Sequence, residues 1–171
     1  ENGNYYNRFY FVHPDGAVQH YDKKHLFTFG GEHKRFTAGT ERVVVNFRGV
    51  RILLEVCYDL RFPVWSRNLG DYDMILYVAS WPTPRVDAWS ALLRARAIEN
   101  QCYVAGVNRM GTDPTCEYSG GSAIIDPYGK TIAECPWSRE SAVSADIDME
   151  ALQAFRKKFP VLDDADPFTL I

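Results

Sequence analysis

Two apolar runs, "DYDMILYVASW" at 71–81 and "CYVAGVN" at 102–108, flank a segment whose apolar residues recur at a helical period. This strand–helix–strand order constrains the fold more than any other feature of the chain. Between the runs, Val86, Trp89, Leu92, Leu93, Ala97 and Ile98 fall on one face of a helix. Asp87 stands in its first turn, where a carboxylate opposes the positive end of the helix dipole. Alternation of this kind indicates an α/β domain. Hairpin signals argue against a purely parallel sheet: "YYNRFYFV" turns at "HPDGA" into "VQHYDKKHL", "RVVVNF" turns at Arg48-Gly49 into "VRILLEVC", and "SAIIDPYGKTIAEC" turns at Pro127-Tyr128-Gly129. The sheets are therefore expected to be mixed. Beyond them come an expected strand "AVSADI", a helix over about Met149 to Lys158, and a tail "FPVLDDADPFTLI" too irregular to fold on itself.

At 171 residues, 46% of them hydrophobic, the chain suffices for one domain with a real core and is too short for two. A net charge of -3 lacks the excess of clustered Lys and Arg that neutralises phosphates, so no nucleic acid partner is expected. Apolar runs fall well short of the roughly 20 residues that span a bilayer, and no signal peptide opens the chain. The expectation is a cytoplasmic protein that uses no membrane. Its four cysteines, Cys57, Cys102, Cys116 and Cys135, form no C-x-x-C pair and are expected to be reduced thiols; neither a zinc knuckle nor a dithiol motif is suggested.

Cys57 ends the apolar stretch "ILLEV" and is followed at once by Tyr58, Asp59 and Arg61. A lone cysteine at a strand end is ordinarily packing. A tight turn after a strand can also expose a nucleophile and aim backbone N–H groups at developing negative charge. A thiol nucleophile needs a group that lowers its pKa or takes its proton. Lys23 and Lys24 in "YDKKHL" are candidates, although such a pair by itself ordinarily marks a solvated strand edge. Glu32, in the Gly-rich loop "FTFGGEHKRFTAG", reads by itself as a surface charge. The histidines, His13, His20, His25 and His33, lack the spacing of a metalloprotease pair, but one could serve Cys57 as a base. Composition and spacing leave a Cys–His hydrolase and a non-catalytic domain level.

Three separated motifs break the tie: "YDKKHLF" at 21–27, "GGEHKRFTAG" at 30–39 and "LLEVCYDLRFPVWSRN" at 53–68. With "YVASWP", "LLRARAIENQCYVAGVNRMG" and "YSGGSAIIDPYGKTIAE" following in order, the chain resembles the nitrilase superfamily, or carbon–nitrogen hydrolases, along essentially its whole length. The wording is closest to omega-amidases of the bacterial type acting on 2-oxoglutaramate. The resemblance implies a four-layer αββα sandwich with mixed sheets, paired in a homodimer or larger homo-oligomer. It also implies a Glu–Lys–Cys triad, in which Cys57 falls on the nucleophile and Lys23, rather than Lys24, on the lysine. Glu32 falls on a second glutamate that positions the lysine or the substrate.

The remaining triad glutamate has no match. In the family it lies upstream of the strand that "NYYNRFYFV" resembles, and Glu1 is too near that strand to fill its place. Residues 1–171 are therefore expected to be the C-terminal two-thirds of a single carbon–nitrogen hydrolase domain, lacking its N-terminal strand and helices and nearly inactive alone. The chemistry implied is hydrolysis of a small-molecule amide through a cysteine thioester, without metal or organic cofactor. Lys23 and the backbone N–H of Tyr58 would hold the oxyanion. For an omega-amide of a small dicarboxylate, Arg85 is the candidate for the distal carboxylate and Trp81 a pocket wall. Asp59 and Arg61 are expected to form a local ion pair that fixes the turn. The same resemblance also covers deaminated glutathione amidase, N-carbamoyl amidohydrolase and nitrilase, and a binding module on an amidase-like scaffold stands as the non-enzymatic alternative.

Overall fold

The computed structural model describes residues 3–169; Glu1, Asn2 and the last two residues of the tail lie outside them. An aromatic-rich ribbon comes first. Strand β1 (Arg8–Val12) pairs antiparallel with β2 (Val18–Asp22), from Val12↔Val18 at the turn to Arg8↔Asp22 at the open end. An Arg8–Asp22 ion pair of 2.6 Å closes that open end.

The main sheet has six strands in the order β10-β9-β6-β5-β4-β3. Strands β3 (Val44–Phe47) and β4 (Val50–Val56) form a hairpin whose two turn residues, Arg48 and Gly49, both have positive φ. That is the geometry whose twist matches right-handed strands. Strands β4, β5 (Met74–Ala79) and β6 (Tyr103–Asn108) run parallel, β9 (Ala123–Ile125) returns antiparallel to β6, and β10 (Thr131–Glu134) pairs antiparallel with β9 at the sheet edge. The mixed sheet is as the hairpin signals and the α1 periodicity required. The sequence reading did not anticipate a second ribbon, β7 (Met110–Thr112) with β8 (Glu117–Ser119).

Alternation along the strands sorts two cores. Leu53, Ile75, Tyr77 and Val104 face helix α1 (Val86–Glu99), where they meet Trp89, Leu93 and Ala97. Ile52, Leu54 and Val56 face the other way, toward Tyr21, Phe9 and Phe11 of the ribbon. Ribbon, sheet and helix are thus three successive layers, held by apolar burial on both sheet faces. The α1 stripe departs from expectation in two places: Ile98 is exposed, and Arg96 is buried, donating to the Leu60 carbonyl and to Glu99.

Helix α2 (Met149–Lys158) has the expected bounds, and its N-cap is Asp148, which accepts from the Ala151 N–H. Arg156 on α2 reaches the sheet, donating to Asp73 and to the Tyr72 carbonyl. The expected strand over 142–147 is absent. That segment is largely exposed and pairs with no strand, because Ala, Ser and Asp supply little of the side-chain packing that stabilises a sheet edge. In the tail, Val161–Asp164 makes one 3₁₀ turn.

Candidate active site

The parallel strands β4 and β5 end at one side of the sheet, the side where open α/β sheets bind ligands. Past β4 the chain goes directly into a 3₁₀ turn, Cys57–Arg61, and Cys57 itself has a φ of 50°. A non-glycine residue in this left-handed region costs free energy that surrounding contacts must offset. Past β5 come Ser80, Trp81 and Pro82, then a turn, Thr83–Arg85, that starts α1. Trp81 is pinned at both ends: its backbone N–H donates to Asn108 (2.7 Å) and its indole N–H to the Arg85 carbonyl (2.7 Å).

A cavity of about 470 Å³ opens between these strand ends and the loops after β2. Lys23, Glu32, Cys57, Tyr58, Trp81 and Arg85 all line it, together with Asn7, Phe27, Arg61 and Ser80. Residues singled out across 63 positions of sequence, from Lys23 to Arg85, are thereby brought to one place.

Lys23 is no solvated edge residue. It is 3% exposed, and its Nζ lies 2.7 Å from Glu32 Oε2. Glu32 also accepts from the Asn7 amide (2.8 Å) and the Phe27 N–H (2.6 Å). Burial alone would raise the Glu32 pKa, but these hydrogen bonds outweigh it and hold the carboxyl below its ordinary value. Glu32 is thus an ionised anchor for Lys23, poorly suited to exchanging protons near neutrality. Burial pushes the Cys57 thiol above its ordinary value, against the opposing pull of the Lys23 ammonium. The thiol sits 3.9 Å from the Ser80 carbonyl.

Asp59 and Arg61 do not pair with each other, contrary to expectation. Asp59 is fully buried and accepts from the Tyr21 hydroxyl (2.9 Å), the Val56 N–H (3.1 Å) and the His25 backbone N–H (2.9 Å), with His25 Nδ1 at 2.8 Å. Arg61 points the other way and stacks over Trp81, 5.0 Å from the ring centroid. Arg85 stacks over Phe27 at 5.4 Å. Both guanidiniums line the cavity without a carboxylate partner among the described residues, so the cavity holds two unneutralised cations besides Lys23. No histidine lines it, which removes the Cys–His arrangement: His25 is turned into the Asp59 network.

The Carbon-nitrogen hydrolase family description matches residues 1–157. The chain belongs to the carbon–nitrogen hydrolase family. It is 55% identical to an omega-amidase of Escherichia coli K12, YafV, over 165 residues that cover 96% of this chain and 64% of that protein. Against a 2-oxoglutaramate amidase of Bacillus subtilis it is 40% identical, over 96% of this chain and 64% of that one. Among solved structures, a CN-hydrolase superfamily protein of Xanthomonas campestris, XC1258, with an arsenic adduct in its active site, superposes with a TM-score of 0.96 at 47% identity, over 99% of this chain and 67% of that one. The chain therefore has the α/β fold of its family, and it spans about 64% of the length of the two curated relatives.

Sequence reading missed Arg61 as a cavity residue, because its neighbour Asp59 offered an obvious local partner. Asn7 carried no signal at all; its role depends on the ribbon lying over the loop that holds Glu32.

Proposed function

We propose that the protein hydrolyses the ω-amide of a small dicarboxylate monoamide, of the 2-oxoglutaramate kind, through a thioester on Cys57, and releases ammonia. One observation carries this reading. A single cavity holds a thiol and a buried ammonium at one side and two unpaired guanidiniums, Arg61 and Arg85, on its walls. Cationic walls suit a substrate whose far end is a carboxylate, and guanidinium is the side chain that binds carboxylate in two-point fashion. Relatives named omega-amidase and 2-oxoglutaramate amidase support the same substrate class.

In this reading Cys57 attacks the amide carbonyl, and the oxyanion is held by the Lys23 ammonium and the Tyr58 N–H. The C–N bond breaks, ammonia leaves with the proton lost by the thiol, and the acyl group stays on sulfur. Water then cleaves the thioester, giving the dicarboxylate and the free thiol. Trp81 forms one wall, and Arg85 receives the distal carboxylate with Arg61 beside it. The protein works in the cytoplasm as a homodimer or larger homo-oligomer.

The test is ammonia release from 2-oxoglutaramate by the full-length protein, with Cys57→Ala and Arg85→Ala alongside. Cys57→Ala abolishes turnover. Losing a charge-assisted contact worth about 1.5–3 kcal/mol, Arg85→Ala raises KM for the dicarboxylate monoamide roughly 10- to 100-fold and leaves a neutral amide of similar length little changed. Turnover surviving in Cys57→Ala would sink the thioester route, and equal KM effects on both substrates would remove Arg85 from carboxylate recognition.

A further inference from the structure

We propose that Asp59 is the positioning residue that sets Lys23 against Cys57, tying the loop that carries the lysine to the turn that carries the cysteine. The proposal rests on the cysteine–lysine reading of the cavity. Asp59 does not touch substrate; its carboxylate is buried behind the turn.

The connectivity makes the argument. Asp59 Oδ2 accepts from the Tyr21 hydroxyl and from the Val56 N–H, and Oδ1 accepts from the His25 N–H and contacts the His25 ring. Tyr21 and His25 bracket Lys23 in sequence, and Val56 and Asp59 bracket Cys57. One carboxylate therefore holds both flanks of the lysine and both flanks of the cysteine. The Tyr21 hydroxyl extends the hold, accepting from the Lys24 N–H (3.1 Å) and from the Trp65 indole N–H (3.1 Å). Burial, with Asp59 adjacent, keeps Tyr21 protonated far above the ordinary phenol range, so it remains the donor toward Asp59. His25 is in turn clamped flat on Phe62, with ring centroids 3.8 Å apart and planes 5° from parallel.

The hold on Val56 also bears on backbone strain. Cys57 sits at positive φ with no glycine to ease it, and such a conformation persists only where neighbouring contacts over-determine it. The bond from the N–H of the preceding residue to Asp59 is such a contact, made within the same turn.

Electrostatics and positioning predict opposite signs, which makes the proposal testable. Of the charged groups around Cys57, Lys23 favours the thiolate and Glu32 and Asp59 oppose it, while the Arg61 and Arg85 guanidiniums line the same cavity and are unchanged in both variants. If Asp59 acted on Cys57 only as a charge, Asp59→Asn would favour the thiolate and lower the pH midpoint of its alkylation. If Asp59 holds Lys23 in place, its loss lets the ammonium move off and the midpoint rises. Tyr21→Phe gives the geometric effect alone, since it removes one hydroxyl and changes no charge.

The experiment measures the rate of Cys57 alkylation by iodoacetamide against pH in the full-length protein, its Asp59→Asn variant and its Tyr21→Phe variant, with labelling assigned by peptide mass and folding checked by circular dichroism. The expected result is a midpoint raised by about one pH unit in Asp59→Asn, the scale of a weakened neighbouring cation, and raised less in Tyr21→Phe. A midpoint unchanged or lowered in the folded variants would overturn the proposal; should Asp59→Asn not fold, Tyr21→Phe alone decides in the same way. The readout uses no substrate, so a wrong substrate assignment leaves it intact. If the unsubstituted protein labels Cys57 no faster than Cys102, Cys116 and Cys135, the cysteine–lysine reading itself fails and this proposal with it.

Discussion

Two residues before the cysteine, Glu55 is fully buried, with no cation paired to its carboxyl group among the described residues. Burial, and next the nearby Asp59 carboxylate, push its pKa well above the ordinary value. The folded state therefore keeps a proton that the unfolded chain releases. Stability from this group is fully present below the ordinary carboxylate pKa and falls as pH rises above it, by up to about 1.4 kcal/mol per pH unit for one proton. Glu55→Gln removes that slope. Urea unfolding of both proteins from pH 5 to pH 7 should show the variant gaining on the parent as pH rises; parallel curves would mean that Glu55 is not held neutral. Nothing in "ILLEV" announced this. A Glu within an apolar strand has the same letter whether it faces water or core, and only the ladder partner Tyr77 and the layer above it decide.

At the scale of elements, local pattern was a good guide wherever a residue's neighbours in sequence are also its neighbours in space. The Arg48-Gly49 turn, the β9–β10 hairpin and the bounds of α2 are of this kind. The pattern misled over 142–147, where alternation alone cannot supply the partner strand that a β-strand needs. The packing of α1 on β6 depends on a glycine that the periodicity did not flag. A Cβ on Gly106 would lie 2.7 Å from Trp89 Cζ2 and 2.6 Å from Leu93 Cδ1. Leu93 can rotate aside, but the indole is rigid and its N–H is bonded to the Gly121 carbonyl. Gly106→Ala should therefore destabilise by about 1–3 kcal/mol, as overpacked cores do, read as a lower urea midpoint with the slope unchanged. No loss of stability would show that the helix can ride outward from the sheet at no cost.

For the whole molecule, the carboxylates of the cavity matter most. Glu32 is its one lining carboxylate among the described residues, and it is committed to Lys23. Hydrolysis by the proposed route needs a group that carries the proton from thiol to departing ammonia and then activates water. We accordingly propose that the 171-residue chain turns over roughly 10²- to 10⁴-fold more slowly than the Escherichia coli omega-amidase it resembles, the usual loss where a general acid–base group is not supplied. Comparable turnover by the two would show that Glu32 changes partners during the reaction and serves as the base.

The mixed α/β class, one helix-backed strand pair, the hairpins and the three motifs that mark the family were legible in the residues themselves, because periodicity and turn chemistry are local properties of a chain. The motifs also named Cys57, Lys23 and Glu32. What Asp59 and Arg61 do was decided only by the fold. Adjacent letters suggested an ion pair between them, but the turn sends Asp59 into the core toward Tyr21 and His25 and sends Arg61 into the cavity over Trp81. A side chain's partner is set by the direction its backbone gives it and by which segments lie alongside, and for Asp59 those segments are 34 to 38 positions away in sequence.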